Sequence, residues 1–199
     1  MTDLLVASRN PKKLAELRRV LDDAGVSGLR LLSLDDVEEF PEAPETGATF
    51  EDNALAKARD AYAASGIAAV ADDSGLAVDA LNGMPGVLSA RWAGAHGDDV
   101  ANLELLLGQL RDVPADRRGA SFVSACALVS PAGESVVRGE WSGRIADAPR
   151  GDGGFGYDPI FVPEGSQRSA AELSPAEKDA ASHRGRALAL LLPALRALA

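Results

Sequence analysis

Strand-type and helix-type patterns alternate along this chain, and that alternation leaves few architectures open. Residues 4–7 are a short apolar run of the buried-strand type. Residues 11–24 carry Leu14, Leu17, Val20 and Leu21 at helical spacing and stop at Gly25. Residues 29–32 read as a second strand, and residues 40–46, rich in Pro and Glu, as a loop. Thr49 and Asp52 make a capping-box-like start for a helix over residues 50–64, which Gly66 ends. Residues 67–71 are a strand running into Asp72-Asp73-Ser74-Gly75, with residues 76–81 continuing extended and 82–86 turning. Residues 99–110 repeat the amphipathic helical pattern. Residues 121–129 and 135–141 form a hairpin around the turn at 130–133. A glycine loop at 151–156 precedes an apolar run at 159–162. Ser174, Pro175 and Glu177 start a further helix. Either that helix runs on, or Ser182 caps a new one carrying Leu188, Leu191, Leu192 and Leu195. Strands, crossover helices and a hairpin together predict an α/β fold with a mixed sheet.

At 199 residues the chain fits one domain, or one domain with two lobes. Its net charge of −10 argues against duplex nucleic acid and anionic membranes as partners, because both reward basic patches. A small polyanion stays compatible with that charge if the few cations converge. The single cysteine, Cys126, lies in an apolar run and reads as a buried small hydrophobe, compatible with a reducing cytoplasm. The first residues read as a strand and not as a signal peptide, and the longest apolar run, 187–192, is too short to span a bilayer.

The chain holds four lysines, Lys12, Lys13, Lys57 and Lys178, against sixteen arginines. All four fall in segments with the makings of a phosphate site, where a compact ammonium on a flexible stem suits a phosphate oxygen. The loop Ser8-Arg9-Asn10-Pro11-Lys12-Lys13 follows a strand and opens a helix, so helix N–H groups, the Asn10 amide and two ammonium groups would cradle an anion. By itself the loop fits an ordinary capped turn equally well, and it is not a Walker A motif.

Asp72-Asp73-Ser74-Gly75 sits where α/β sheets place ligands, and its carboxylates suggest Mg²⁺ beside phosphate. Successive strand residues face opposite sides, so one aspartate would face the ligand and the other the structure. Ser74 is placed to donate to a phosphate oxygen. Glu42 and Glu45 lie in the loop before the Lys57 helix, and Glu45 is a candidate second carboxylate. Asn53 and Lys57 share a helix face at i,i+4. In the glycine loop, Phe155 and Tyr157 flank Gly156 and offer a ring for stacking on a planar base. His183 and Arg184 supply donors suited to base carbonyls. No Cys/His metal spacing and no Gly-x-Ser-x-Gly elbow occurs.

In this order the segments resemble the ITP/XTP pyrophosphatase family. The matching pieces are Ser8-x-Asn10-x-x-Lys13-x-x-Glu16-Leu17, Glu45-Thr46-Gly47-x-Thr49-Phe50-x-x-Asn53-Ala54 and Ala71-Asp72-Asp73-Ser74-Gly75-Leu76. Further along stand Pro85-Gly86-x-x-Ser89-Ala90-Arg91, Gly153-Gly154-Phe155-Gly156-Tyr157-Asp158-Pro159 and Lys178-x-x-x-Ser182-His183-Arg184-Gly185. The resemblance implies an elongated, twisted mixed sheet flanked by helices. It also implies two lobes with a cleft between them, all within one domain over residues 1–199, and a cytoplasmic homodimer that needs Mg²⁺. It implies Asp73 as the proton acceptor and a metal ligand, with Glu45 as second metal ligand. Ser8, Arg9, Asn10, Pro11, Lys12, Lys13 and Ser74 would hold the triphosphate. Phe155, Gly156, Tyr157, Asp158, Lys178, His183 and Arg184 would hold base, sugar and phosphate, with Asn53, Lys57 and Asp72 as additional candidates. Arg9 departs from the Gly of many relatives, and Ser8 replaces Thr while keeping the hydroxyl.

The activity so implied is Mg²⁺-dependent hydrolysis of ITP, dITP or XTP to the monophosphate and pyrophosphate. Two rivals stand beside it. Septum-inhibitor-like nucleotide pyrophosphatases have a first loop of the type Ser-x-Ser-Pro-Arg-Arg, where this chain has Asn10 and Lys13. A regulatory nucleotide-binding module without turnover would lack the carboxylate of Asp73.

Overall fold

Residues 1–41 and 44–199 are described by the structure, a computed structural model. Glu42 lies outside them. The strands are β1 (Thr2–Val6), β2 (Leu29–Leu32), β3 (Ala68–Val78), β4 (Gly119–Ser130), β5 (Gly133–Ile145) and β6 (Phe161–Pro163). The helices are α1 (Pro11–Asp23), α2 (Phe50–Ser65), α3 (Asp99–Gln109), α4 (Pro175–Ala181) and α5 (His183–Leu198). The six strands make one sheet in the order β2-β1-β3-β4-β5-β6. β1 runs parallel to β2 and β3, which their crossover helices α1 and α2 require, whereas β5 and β6 are antiparallel. This is the mixed, helix-flanked sheet expected from the alternating pattern.

The punctuation read from the sequence has physical counterparts. Asn10 caps α1 by accepting the Lys12 N–H at 3.0 Å, and Pro11 takes the first helical position, where no N–H is needed. Thr49 and Asp52 close a reciprocal capping box on α2, at 3.1 and 3.2 Å. Gly66 ends α2 with φ +70°. The two strands of the hairpin are longer than expected, reaching residues 119 and 145. The C-terminal segment breaks into α4 and α5 at Ser182, the second of the two readings.

One expectation needs correction. The sequence carries extended backbone past Asp72-Asp73-Ser74-Gly75 as far as residue 81; β3 does pass straight through the motif, but it ends at Val78, and Asp79–Leu81 forms a 3-10 turn. The apolar pattern breaks at the aspartates while the extended backbone does not. Pairing with β1 reaches only Val6 against Val70, so the motif begins just past the carboxyl end of the parallel segment. The ligand-favouring position survives even though the strand continues.

Two compact units divide the chain: unit 1 comprises Met1–Asp73, Ser124–Gly139 and Arg184–Ala199, and unit 2 comprises Ser74–Val123 and Glu140–His183. In unit 1, Leu4, Val6, Leu17, Leu128, Leu191 and Leu195 pack as one core, joined by Cys126. Burial pushes that thiol up to about 12, so it behaves as a small hydrophobe. In unit 2 the core is aromatic: Phe161 packs on Phe122 at 4.6 Å and on Trp141 at 5.4 Å between ring centroids. Among the described residues no helix is long and apolar enough to cross a membrane.

Candidate active site

Within unit 1, adjacent carboxylates on β3 go to opposite partners, as strand alternation requires. Asp73 is 8% exposed and accepts the Asn53 Nδ2–H on its Oδ2 at 3.0 Å. Its Oδ1 lies 3.2 Å from Lys57 Nζ. The same ammonium is ion-paired with Glu45 and reaches the Asp72 carbonyl at 3.4 Å. Asn53 ties the arrangement together, because its Oδ1 accepts the Gly47 N–H at 2.8 Å and so fixes the loop that carries Glu45. Gly47 must be glycine for this approach: a Cβ there would stand 2.6 Å from Asn53 Oδ1. The i,i+4 pair on α2 thus positions both candidate metal ligands.

Burial raises the affinity of Asp73 for a proton, and the Glu45 charge adds to it; Lys57 and the Asn53 amide oppose without prevailing. Burial alone would lower the pKa of Lys57, but the Asp73 and Glu45 carboxylates more than offset it and hold the ammonium charged. Among the described residues no group of three or more His, Cys, Asp or Glu side chains gathers as a metal cage. What gathers instead is a pair of carboxylates around one cation, the Lys57 ammonium. Hard oxygen donors, few in number, fit Mg²⁺, which keeps several waters and takes phosphate oxygens as its other ligands.

Asp72 faces a cationic hub. Its Oδ2 lies 2.9 Å from Lys13 Nζ and accepts from Arg184 Nη2 at 2.9 Å and Nε at 3.2 Å. Arg184 Nη1 also reaches Glu16 at 3.4 Å. Burial would raise the Asp72 pKa, but Arg184 and Lys13 hold it down to about 2. The preceding loop is locally satisfied: Ser8 Oγ accepts the Asn10 N–H at 3.2 Å, and the Lys13 N–H goes to the Asn10 carbonyl at 3.0 Å. Ser8, Arg9, Asn10 and Pro11 also line a cavity of about 880 Å³ in unit 1, with Arg18 and Phe40 on its wall. Lys12 is exposed.

Unit 2 holds the remaining candidates. Phe155 is 74% exposed, and Lys178 Nζ stands 4.7 Å from its ring centroid. Lys178 is ion-paired with the buried Asp158, whose Oδ2 also accepts the Phe155 N–H at 2.8 Å. Gly154, at φ +76°, leaves room for that carboxylate, since a Cβ would come within 2.2 Å of it. Tyr157 is buried and donates its hydroxyl to the Ser89 carbonyl at 2.9 Å, and burial raises its pKa. The ring available for stacking is therefore Phe155, with Tyr157 as its anchor in the core. His183 stacks on Phe122 at 5.3 Å, and Ser74 is half-buried.

His183 and Arg184 are chain neighbours, yet one joins the aromatic core of unit 2 and the other the Asp72 hub of unit 1. Three residues that sequence reasoning left without roles prove structural. Glu16 backs Arg184. Ser89 Oγ accepts the Leu76 N–H at 2.8 Å and donates to the Gly86 carbonyl at 2.6 Å. Asp99 accepts the Gly156 N–H at 2.7 Å. Glu16 and Ser89 both stood inside recognisable motifs, whereas nothing local marked Asp99. The last glycine of Asp72-Asp73-Ser74-Gly75 serves packing, because a Cβ at Gly75 would lie 2.4 Å from Ser89 Oγ.

Residues 4–194 match the model of the Ham1 family. The dITP/XTP pyrophosphatase of Mycobacterium tuberculosis is 77% identical over 199 residues, spanning 100% of this chain and 98% of that protein. A protein of the same name from Nocardia farcinica is 73% identical over 100% of this chain and 97% of its own. The crystal structure of a nucleoside-triphosphatase / dITP/XTP pyrophosphatase from Mycobacterium abscessus superposes with a TM-score of 0.86 at 70% identity, covering 98% of this chain and 100% of that one. The Ham1 protein of Staphylococcus aureus does so with a TM-score of 0.90 at 37% identity, covering 98% and 99%.

Proposed function

The chain belongs to the Ham1 family, and on that premise we propose that it hydrolyses non-standard purine nucleoside triphosphates, ITP, dITP and XTP, to the monophosphate and pyrophosphate. The observation that carries the reading is the convergence of Glu45 and Asp73 on one ammonium, which also reaches the carbonyl of Asp72, the residue that holds Lys13 and Arg184. The names of relatives at 70–77% identity support the substrate class.

Glu45 and Asp73 would hold Mg²⁺, which when bound neutralises triphosphate charge and polarises the phosphoryl group. The protein's own part is positioning and proton transfer. Asp73 accepts the proton of the attacking water, a task suited to a carboxylate whose proton affinity burial has raised. Lys57 follows the negative charge as it moves onto the phosphate oxygens. Lys13 is held in place by Asp72, which Arg184 braces, itself backed by Glu16. Ser8, Arg9, Asn10, Lys12 and Ser74 bind the remaining phosphate oxygens, and Pro11, which has no donor, shapes the loop that presents them. Phe155 stacks on the base, with Gly156, Tyr157, Asp158 and Lys178 shaping its surroundings and His183 donating towards it. We further propose one catalytic domain over residues 1–199, acting as a cytoplasmic homodimer. The acidic net charge and the single buried thiol are consistent with that setting.

Base choice follows from donors. Hypoxanthine and xanthine carry an oxygen at position 6, where adenine carries an amino group. A buried donor left unmatched costs about 1–3 kcal/mol, and two such mismatches multiply to roughly 30-fold or more. Guanine shares the 6-oxygen, so its rejection rests on its 2-amino group. Turnover is expected to be fast on ITP and XTP, much slower on GTP, and poor on ATP and dTTP. Initial rates on the five nucleotides check this; ATP turned over as efficiently as ITP would overturn the assigned specificity.

A further inference from the structure

The loop carrying Phe155 is fixed by two carboxylates from different parts of unit 2. Asp158 Oδ2 accepts the Phe155 N–H at 2.8 Å, and Asp99 Oδ2 accepts the Gly156 N–H at 2.7 Å. Asp99 opens α3, but the helix does not need it as a cap. Its neighbour Asp98 fills that role by accepting the Ala101 N–H at 3.1 Å. The Asp99 carboxylate is thereby left to the glycine loop, where Gly156 takes φ +59°, a left-handed conformation that a lone hydrogen bond can select. Both N–H groups bordering the Phe155 peptide are thus held while the ring itself stays 74% exposed.

The rest of α3 is docked close by. Asn102 Oδ1 accepts the Ala93 N–H at 2.7 Å, and its Nδ2 donates to the Ala90 carbonyl at 3.3 Å. That segment carries Ser89, whose carbonyl takes the Tyr157 hydroxyl at 2.9 Å. The 3-10 turn Gly86–Arg91, α3 and the loop at 154–158 therefore form one hydrogen-bonded platform within unit 2.

We propose that Asp99 is a positioning residue for base recognition: by holding the Gly156 N–H it presets the Phe155 ring to stack on a planar purine. This rests on the proposed function, because it assigns the stacking partner to a nucleotide base. An exposed aromatic on a glycine loop otherwise loses rotational and backbone freedom when a ligand binds, and ordering it beforehand removes that cost from the binding step. The ligand class is a planar heteroaromatic ring, and the phosphates lie outside the effect.

The test measures calorimetric affinity of the full chain, with Mg²⁺ present, for IMP and separately for inorganic pyrophosphate. Asp99→Ala is expected to weaken IMP binding about tenfold, the scale of one charge-assisted hydrogen bond, and to leave pyrophosphate binding unchanged. Asp99→Asn keeps an acceptor oxygen at the same place and is expected to restore most of the IMP affinity. In the Phe155→Ala background, adding Asp99→Ala is expected to cost nothing further for IMP, since the ring it positions is gone. Equal IMP affinity in Asp99→Ala and wild type overturns the inference, and so does an equal loss for IMP and pyrophosphate, which marks a general structural role. If wild-type protein binds pyrophosphate but no IMP at all, the functional reading itself falls, and the inference falls with it.

Discussion

Asp73→Asn is expected to lower kcat on ITP by roughly 10²–10⁴-fold, the scale on which a general base acts, with the fold intact. Asn keeps the shape and removes a proton acceptor together with one of the two carboxylates around Lys57. Stability should not suffer. The pKa of folded Asp73 is raised above its ordinary 3.8, so the fold disfavours the ionised form, and that cost is present at neutral pH. A neutral side chain relieves it. The same direction of shift places the acid limb of the wild-type pH–rate profile above the ordinary Asp value of 3.8, with activity falling as pH drops through it. Steady-state rates at saturating Mg²⁺, paired with circular dichroism, check both parts; wild-type turnover in Asp73→Asn would remove Asp73 from the chemistry.

The neighbouring substitution acts on stability instead. Asp72→Asn leaves Lys13 and Arg184 crowded around a neutral amide. Side-chain exposures of 21% and 19% leave those charges little water to fall back on. Holding Asp72 ionised this far below its ordinary value corresponds to about 2–3 kcal/mol, and that is the expected loss at neutral pH. The sign with pH follows from the direction of the shift. The folded Asp72 pKa lies at about 2, below the ordinary 3.8. The wild-type advantage is therefore fully present above the unfolded value and fades as pH falls towards the folded one. Urea unfolding at neutral pH and again near about pH 3 should show the gap narrowing. Equal stability at neutral pH would mean that the hub contributes nothing to the fold.

What was legible in the sequence was local chemistry. Caps, Pro and Gly punctuation, hydrophobic spacing and the scarcity of lysine led to α1, α2 and the hairpin, and to candidates that fall in both units, Lys13 and Lys57 in unit 1 and Lys178 in unit 2. The two aspartates were expected to face apart, and they do, because the period of a strand leaves no choice. The illegible part was long-range. The pattern carried extended backbone past the aspartates, but nothing in it showed which groups make two little-exposed charges tolerable inside β3. Arg184 finds Asp72 across 112 positions, and Asp99 finds Gly156 across 57. Tyr157 reads as a ligand contact beside Phe155, yet only the fold shows one ring buried and the other exposed.

Identification of the first products of ITP hydrolysis tests the central claim most directly. The wild-type protein with Mg²⁺ and ITP, followed by phosphorus NMR in oxygen-18 water, is expected to release pyrophosphate and IMP, with the label on the IMP phosphate if water attacks the α-phosphorus. Asp73→Asn under the same conditions is expected to leave ITP intact. IDP and orthophosphate as first products, or ITP unchanged by the wild-type protein, would contradict it.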